Sequence, residues 1–153
     1  MRDDERRAHD VGSITWLASE IDSARERLAD LSADPDVLGR IAEAAQVLSA
    51  ALAGGRKVIA CGNGGSLTDA MHFADELSGR YRRPRRPLAA IAVCDPGHIT
   101  AVANDFGFDQ VFSRFIQAVG SEGDVVVAIS TSGTSPNIVA AARAAREMGI
   151  RVV

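Results

Sequence analysis

The segment KVIACGNGGSLTDAMHFADELSG, residues 57–79, is the part of the sequence that decides the fold. Residues 57–61 form an apolar run of strand length, residues 62–65 are rich in glycine, and residues 66–78 carry apolar side chains at helical spacing. A strand that turns tightly into a helix is half of a βαβ unit. The segment therefore predicts a parallel sheet with helices packed against it.

The same alternation of strand and helix continues along the chain. Further apolar runs of strand length occupy residues 88–93, 124–130 and 150–153. Helical patterns occupy residues 97–119, as a pair, and residues 135–149. Continuous apolar runs are typical of strands buried on both faces of a parallel sheet. We therefore expect an α/β fold, a three-layer αβα sandwich, with ligands bound where the strands end in loops that lead into helices.

Two helices are predicted ahead of this sheet. The first spans residues 13–31, and the second begins with Asp34 as N-cap and Pro35 in its first turn. Residues 1–12 are charged and without apolar periodicity. We expect residues 1–12 to form a flexible arm and residues 13–153 to form a single domain.

The composition is ordinary for a soluble protein, with 46% apolar and 24% charged residues. No apolar run reaches the roughly 18 residues of a membrane span, and the charged start lacks the apolar core of a secretory signal. The net charge of −3 does not favour general electrostatic binding to nucleic acid. Cys61 and Cys94 lack metal-ligand spacing, and because no export signal is recognised, reduced thiols in the cytoplasm are the simpler interpretation.

The first candidate site is the turn CGNGGS, residues 61–66, which leads into a helix. Unpaired N–H groups and the helix dipole at such a turn favour an anion, and glycines let a ligand approach the backbone. Ser66 with Asp69 three residues later fits an N-cap with a capping-box partner. The loop matches neither of the common nucleotide-binding patterns, because it lacks the P-loop lysine and the third glycine of GxGxxG. A tight turn that binds nothing is an equal alternative.

The second candidate site is ISTSGTSPN, residues 129–137. Ser135 is expected to be the N-cap of the next helix and Pro136 its first residue. One hydroxyl would suffice for capping, but the loop offers five: Ser130, Thr131, Ser132, Thr134 and Ser135. Clustered hydroxyls at a helix N-terminus suit the oxygens of a phosphate ester, and the absence of a lysine favours a monophosphate. The alternative is a well-capped turn without a ligand.

The helix after the first turn has two different faces. Its predicted sheet-facing stripe consists of Leu67, Ala70, Met71, Ala74, Leu77 and Ser78. His72 and Glu76 lie almost opposite this stripe and are i, i+4 neighbours, so they can act on one ligand or hold one metal. Two interpretations stay open, a solvated outer face with an incidental pair, and a face that another subunit covers.

Two basic features have plain structural interpretations. RYRRPRRP, residues 80–87, holds five arginines and two prolines, and in an acidic chain it is expected to be a solvated loop at a subunit edge. His98 follows the strand at 88–93, and we expect a histidine at a helix start with a local hydrogen bond. We therefore expect no nucleic-acid partner.

Together these motifs resemble the sugar isomerase (SIS) domain family, and within it the sedoheptulose 7-phosphate isomerases. The likeness covers nearly everything from residue 36 onward, and its specific segments are CGNGGSLTDAMHFADELSGRY, HITAVANDFGFDQVFSRF and GDVVVAISTSGTSPNIV. It implies a Rossmann-like parallel five-stranded sheet between helices, with N-terminal helices that pack on partner subunits. It also implies a homotetramer with active sites between subunits.

The resemblance also implies roles for individual positions. The turn that contacts the substrate is matched by Asn63, Gly64 and Gly65. A pair that contacts the sugar is matched by Asn104 and Asp105. The phosphate-binding loop is matched by Ser130, Thr131, Ser132 and Ser135. His72 matches a zinc ligand, and Glu76 matches a residue that is zinc ligand, substrate contact and catalytic base.

The implied reaction is aldose–ketose isomerisation of sedoheptulose 7-phosphate to D-glycero-D-manno-heptose 7-phosphate, for heptose and lipopolysaccharide precursor synthesis. Glu76 would move a proton between C1 and C2 through an enediol. The family continues past residue 153 with a strand and a helix that carries a glutamine and a histidine, the other zinc ligands. This chain has no counterpart of them, so we expect a C-terminally incomplete domain.

Two alternatives to an active isomerase follow from the same resemblance. One is an inactive truncated isomerase. The other is a non-catalytic SIS module of the DnaA initiator-associating type, which binds a sugar phosphate or a protein partner. Glu76 discriminates between these functions, because a pure binding module needs no carboxylate base at that position.

Overall fold

A computed structural model describes residues 14–153 of the chain, so the arm predicted at residues 1–12 lies outside the described residues. Contacts along the chain divide it into two compact units, Met1–Glu43 and Ala44–Val153. No helix within the described residues is both long and apolar enough to cross a lipid bilayer.

The described part of the first unit consists of helix α1, Ile14–Ala33, and the start of helix α2, Pro35–Ala53, which crosses the division between the units. Asp34 caps α2 as predicted, because its Oδ1 accepts from the backbone N–H groups of Asp36 at 2.9 Å and Val37 at 3.1 Å. None of the residues of α1 is buried. Its large apolar side chains are exposed instead, namely Ile14, Leu17, Ile21, Leu28 and Leu31.

The second unit alternates strands and helices after the end of α2. Its elements are β1 Val58–Gly62, α3 Gly65–Ser78, β2 Ala90–Ala92, α4 Pro96–Phe106, a 3₁₀ turn Phe108–Gln110, α5 Val111–Val119, β3 Val125–Ile129, α6 Pro136–Glu147 and β4 Arg151–Val152. Each predicted strand and helix of this unit is present, and most differ from the prediction by one or two residues at their ends. The α/β prediction is confirmed.

All strand pairs in the described sheet are parallel, in the order β2-β1-β3-β4. The sheet has four strands within residues 14–153, whereas the family resemblance implied five. Central strand β1 is buried along its whole length, as predicted for a strand covered on both faces. The register pairs Gly62 of β1 with Ile129 of β3, so the carboxyl ends of these two strands lie side by side.

Helix packing against the sheet forms one apolar core. Helix α3 contacts β1 and β2, and α6 contacts β3, β4 and α5. The buried cluster consists of Ile59, Cys61, Val93, Val102, Val111, Phe112, Ile116, Val126, Ile138, Ala141, Ala145 and Ile150. Burial raises the pKa of the Cys61 thiol to about 12, so Cys61 behaves as an uncharged core residue.

An ion pair ties β1 to β3 at the amino ends of these strands. Asp124 is 1% exposed, and its Oδ2 lies 2.6 Å from the Lys57 ammonium. The same carboxylate accepts from the backbone N–H groups of Lys57 at 3.0 Å and Ser121 at 2.8 Å. Burial alone would raise the pKa of Asp124, but these hydrogen bonds and the Lys57 charge outweigh it and lower the pKa below its ordinary value.

Candidate functional site

The first turn connects β1 to α3 through a glycine-rich backbone. Gly64 is the N-cap of α3 with a φ of +54°, a conformation that favours glycine. A Cβ on Gly62 would lie 2.5 Å from the carbonyl oxygen of Ser66, so only glycine fits there. The predicted N-cap at Ser66 is wrong, because the left-handed Gly64 lets the helix begin at Gly65. No side chain caps this helix start, which leaves amide hydrogens for a ligand.

The second turn connects β3 to α6 and gathers three hydroxyl groups. Ser135 is the N-cap and Pro136 the first helical residue, as predicted, but the Ser135 side chain makes no capping bond. The hydroxyl oxygens of Ser130, Ser132 and Ser135 are 3.4 to 3.5 Å apart. These separations exceed the usual 2.7–2.8 Å of a strong O–H···O bond, so the hydroxyls can turn towards ligand oxygens without losing strong bonds.

The backbone of the second turn is already partly paired. The N–H of Gly133 donates to Ser130 Oγ at 3.1 Å, and the N–H of Thr134 donates to Ser132 Oγ at 3.2 Å. These two bonds hold the serine oxygens in place and leave their hydroxyl hydrogens as donors. Thr131 and Thr134 are exposed.

A pair of asparagines joins the two turns. Asn63 Nδ2 donates to Asn137 Oδ1 at 2.9 Å, and Asn137 Nδ2 donates to Asn63 Oδ1 at 2.8 Å. Asn137 is 2% exposed, and its Oδ1 also accepts from the backbone N–H of Ile138 at 2.9 Å. Asn137 was not among the predicted site residues. Its position four residues before Ala141, on the buried stripe of α6, is the pattern that could have revealed it.

The outer face of α3 opens onto a cavity of about 530 Å³. Its lining residues are Asp69, His72, Phe73, Glu76, Leu77, Tyr81 and Arg85. His72 Nε2 lies 3.2 Å from Glu76 Oε1, which brings the predicted pair into contact. The His72 side chain is 77% exposed and that of Glu76 is 34% exposed, so both are accessible from the cavity.

The buried stripe on the sheet-facing side of α3 is narrower than predicted. Ala70 and Ala74 are buried, and Leu67 and Leu77 are half-buried. Met71 is 40% exposed and Ser78 is also exposed, so these two members of the predicted stripe do not pack on the sheet. The small alanines bring the helix close to the strands over a narrow strip, and residues at its margins remain accessible.

Two arginines of the basic loop at 80–87 are bound to helix ends. The Arg85 guanidinium donates to the carbonyl oxygens of Glu76 and, at 2.8 Å, of Leu77, so it satisfies the last turn of α3. Arg86 reaches the carbonyl oxygen of Leu52 in α2 at 3.5 Å. The loop is exposed, as predicted, but its attachment to the helices was not predicted.

Asn104 and Asp105 lie in the last turn of α4, whereas the two candidate turns directly follow strands β1 and β3. Asn104 Nδ2 donates to Asp105 Oδ1 at 2.8 Å, and both residues are exposed.

A second cavity of about 130 Å³ lies beside the first turn. It is lined by Gly62, Asn63, Gly64, Leu67, Ile99, Phe108, Val111 and Phe112, so it does not include the Asn104–Asp105 pair.

His98 has the structural role that was predicted for it. Its backbone N–H donates to the N-cap Asp95 at 2.7 Å. Its ring nitrogen Nε2 donates to the carbonyl oxygen of Val111 at 2.8 Å, and the ring packs edge-on against Phe115. Because both interactions fix the ring, His98 belongs to the packing of α4 on α5.

The donors for a metal ion are incomplete within residues 14–153, where no group of three or more His, Cys, Asp or Glu side chains converges. His72 and Glu76 nevertheless fit two positions of one ion. A tetrahedral zinc with bonds of about 2.0–2.1 Å holds neighbouring donor atoms roughly 3.3 Å apart. The observed Nε2–Oε1 separation is 3.2 Å.

Comparison with known proteins gives a consistent result. Residues 21–153 match the SIS domain family. The phosphoheptose isomerase of Edwardsiella ictaluri is 51% identical over 137 residues, which cover 90% of this chain and 71% of that protein. The structure of phosphoheptose isomerase GmhA from Neisseria gonorrhoeae superposes with a TM-score of 0.76 at 39% identity, covering 97% of this chain and 72% of that one. A phosphoheptose isomerase from Francisella tularensis gives a TM-score of 0.84 at 36% identity, with coverages of 91% and 72%.

Proposed function

The chain belongs to the SIS domain family, and from this premise we propose that it isomerises sedoheptulose 7-phosphate to D-glycero-D-manno-heptose 7-phosphate. This is the reaction expected of a homologue of phosphoheptose isomerases, and its product would enter heptose and lipopolysaccharide precursor synthesis. The observation that carries the proposal is the register of Gly62 with Ile129, which brings two phosphate-competent turns to one edge of the sheet.

The phosphate group is proposed to bind at the second turn. Its ligands would be the hydroxyls of Ser130, Thr131, Ser132 and Ser135, three of which already converge. Amide hydrogens of Gly64 and Gly65 at the uncapped start of α3 would face the ligand from the first turn. Asn63 would contribute the donor and acceptor capacity that its bonds to Asn137 leave unused.

Sugar hydroxyls are proposed to contact Asn104 and Asp105, whose amide and carboxylate are exposed and already oriented by their mutual hydrogen bond. A polyol needs both donors and acceptors, and this pair offers both types. The cavity beside the first turn would hold apolar edges of the ligand chain, because most of its lining is apolar.

Glu76 is proposed as the catalytic base. Its carboxylate would take a proton from C1 of the ketose, giving a 1,2-enediol, and return it to C2, while a proton passes from O1 to O2. A positioned carboxylate contributes about 10²–10⁴-fold to such a transfer. His72 would orient the carboxylate through the contact at 3.2 Å, and the partly exposed Glu76 side chain lines the cavity, where a ligand can reach it.

Zinc is the proposed cofactor, with His72 and Glu76 as two of its ligands. The 3.2 Å separation of their donor atoms supports this assignment, and the remaining donors would come from outside the described residues. A bound zinc ion would polarise the oxygens of the substrate as a Lewis acid.

We propose a homotetramer in the cytoplasm as the working form. The exposed apolar side chains of α1 recur at heptad a and d positions, a pattern typical of helices that pack on a partner helix. Cys61 and Cys94 are both free, which suits a reducing compartment.

Isotope exchange tests the proposed reaction. Incubation with sedoheptulose 7-phosphate and zinc in deuterated water should place deuterium at C1 or C2, which mass spectrometry and proton NMR would detect. Glu76→Gln should slow labelling at least about 10²-fold, because the base is lost. Glu147→Gln, which removes an exposed carboxylate at the end of α6, is the matched control and should label normally.

The labelling results distinguish an isomerase from a non-catalytic binding module. Equal labelling by wild type and Glu76→Gln would contradict the role of Glu76. Absence of labelling together with measurable binding of the sugar phosphate by calorimetry would favour a non-catalytic binding module.

A further inference from the structure

We infer that Asn137 is a positioning residue that holds the two ligand-binding turns at a fixed separation. The inference rests on the proposed function, since it concerns how one ligand contacts both turns. Asn137 itself is 2% exposed, so its side chain is not available to a ligand. It would act through Asn63, whose turn follows β1 directly.

The geometry of the asparagine pair supports a single arrangement. Two N–H···O bonds of 2.8 and 2.9 Å join the side-chain amides in both directions. A third bond, from the N–H of Ile138, fixes the Asn137 amide against its own helix. Both acceptor positions of Asn137 Oδ1 are therefore used, and the side chain cannot rotate without breaking bonds in a nearly dry environment.

The pair connects segments that are distant in sequence but adjacent in space. Residues 63 and 137 are separated by 74 positions, and Asn137 lies two residues after Ser135 in the first turn of α6. Separating the two turns would break both amide bonds. Since the N–H of Ser66 donates to the carbonyl oxygen of Asn63 at 3.0 Å, movement of Asn63 would also be passed to the start of α3.

This arrangement predicts a difference between ligands that span both turns and ligands that contact only one. A sugar phosphate needs the correct separation of the two turns, because its phosphate and its carbon chain bind to different segments. Inorganic phosphate at the serine turn needs only the hydroxyls of that turn. Loss of the asparagine pair should therefore weaken the first ligand more than the second.

Calorimetric titration of the full chain tests this difference. With Asn137→Ala, we expect the Kd for sedoheptulose 7-phosphate to rise about tenfold and the Kd for inorganic phosphate to change less than about twofold. Ser113→Ala is the matched control, because Ser113 is also buried and hydrogen-bonded but lies in α5, bound to Gln110. It should leave the ratio of the two Kd values unchanged.

Amide hydrogen exchange of the ligand-free chain gives a second readout. The N–H groups of Ser66 and Leu67 are bonded to the carbonyl oxygens of Asn63 and Gly64 at 3.0 Å. They should exchange about tenfold faster in Asn137→Ala if the first turn opens more often, whereas the Val125 amide at the other end of the sheet should not change. Ser113→Ala should leave all three rates unchanged.

A milder variant covers the case in which Asn137→Ala does not fold. Asn137→Asp keeps the acceptors for Asn63 and Ile138, removes only the donor, and adds a negative charge that a helix start tolerates. We expect faster exchange at Ser66 in this variant also.

Unchanged exchange at Ser66 in every variant that folds would overturn the inference, as would an unchanged ratio of Kd values. A wild type that does not bind the sugar phosphate would refute the proposed function alone, because hydrogen exchange still tests Asn137.

Discussion

At the scale of single residues, Asp124 carries a buried charge, and its contribution to protein stability depends on the groups bonded to its carboxylate. Its carboxylate is bonded to the Lys57 ammonium and to two backbone N–H groups, and these contacts lower its pKa despite burial. A group whose pKa is lower in the folded state stabilises the protein above its unfolded pKa of about 3.9. That stabilisation is lost as the pH falls through the folded pKa.

Asp124→Asn should therefore destabilise the protein in a way that depends on pH. Loss of one partner from a buried pair costs about 3–5 kcal/mol, and we expect the lower part of this range because the Lys57 side chain is 31% exposed. Urea unfolding at pH 7 should give this difference. It should shrink as the pH falls from about 3.9 to 3, because the unfolded wild-type carboxylate takes up a proton more readily than the folded one, whose pKa is lowered.

The surface pair of Asp22 and Arg25 provides the control for this prediction. Both side chains are more than half exposed, at 61% and 75%, so Asp22→Asn should change the free energy of unfolding by less than about 0.5 kcal/mol. A difference between wild type and Asp124→Asn that stays constant from pH 7 to pH 3 would contradict the assigned linkage.

At the scale of elements, the end of α5 depends on a glycine for close packing rather than for backbone conformation. Gly120 has an ordinary φ of −74°, but a Cβ there would lie 2.5 Å from the Ile116 carbonyl oxygen and 2.7 Å from Ile150 Cδ1. Ile150 directly precedes β4. The missing side chain at Gly120 therefore lets α5 end against the edge of the sheet.

Gly120→Ala should lower the free energy of unfolding by about 1–3 kcal/mol, because an extra methyl group overpacks this contact. Gly39→Ala is the matched control, since Gly39 lies within α2 and a Cβ there meets nothing within 4 Å. It should stabilise the helix by about 0.5–1 kcal/mol. Thermal and urea unfolding would measure both variants, and equal effects of the two substitutions would contradict the packing argument.

Patterns among neighbouring residues predicted the strands and helices well, but they did not predict contacts between residues that are distant in sequence. The apolar runs, the cap at Asp34 and the helix start at Ser135 depend on neighbours in sequence, so periodicity and capping preferences were sufficient to predict their positions, although the Ser135 side chain makes no capping bond. The helix start at Gly65 was predicted wrongly, because the conformation of Gly64 leaves no direct sign in the sequence.

In the candidate site too, local features could be predicted and contacts between distant residues could not. The serine turn and the His72–Glu76 pair could be predicted, because each lies within a single loop or helix face. The burial of Asn137 follows a helical spacing that the sequence shows, but its bond to Asn63 and the bond of Arg85 to Glu76 could not be predicted. Their partners lie 74 and 9 residues away, and these contacts depend on how strands and loops come together. Those contacts follow from the tertiary fold.

At the scale of the whole molecule, polar pairs tie the same two strands together at both ends. Lys57 and Asp124 join β1 and β3 where the strands begin, and Asn63 and Asn137 join the segments that follow where they end. The buried apolar residues of both strands lie between these pairs. The edge that carries the two turns is therefore supported by a sheet whose central strand pair is joined at both ends.

Helix α1 gives the prediction that concerns the assembly. A 20-residue helix without a buried side chain gains little from its own unit, and its apolar residues follow a heptad spacing of 14, 17, 21, 28 and 31. Ile21 is 69% exposed within that series, so a charge there would be buried unpaired if a second copy packs on the helix. Ile21→Glu should therefore reduce the mass of the assembly without loss of helix content.

Light scattering after size-exclusion chromatography would measure the mass, and circular dichroism the helix content. Ala29→Glu is the matched control, because Ala29 is exposed at a position outside the a and d series. It adds the same charge to the same helix and should leave the mass unchanged. If wild type already has the mass of one chain, or if Ile21→Glu keeps the wild-type mass, the apolar series of α1 is not the contact between copies.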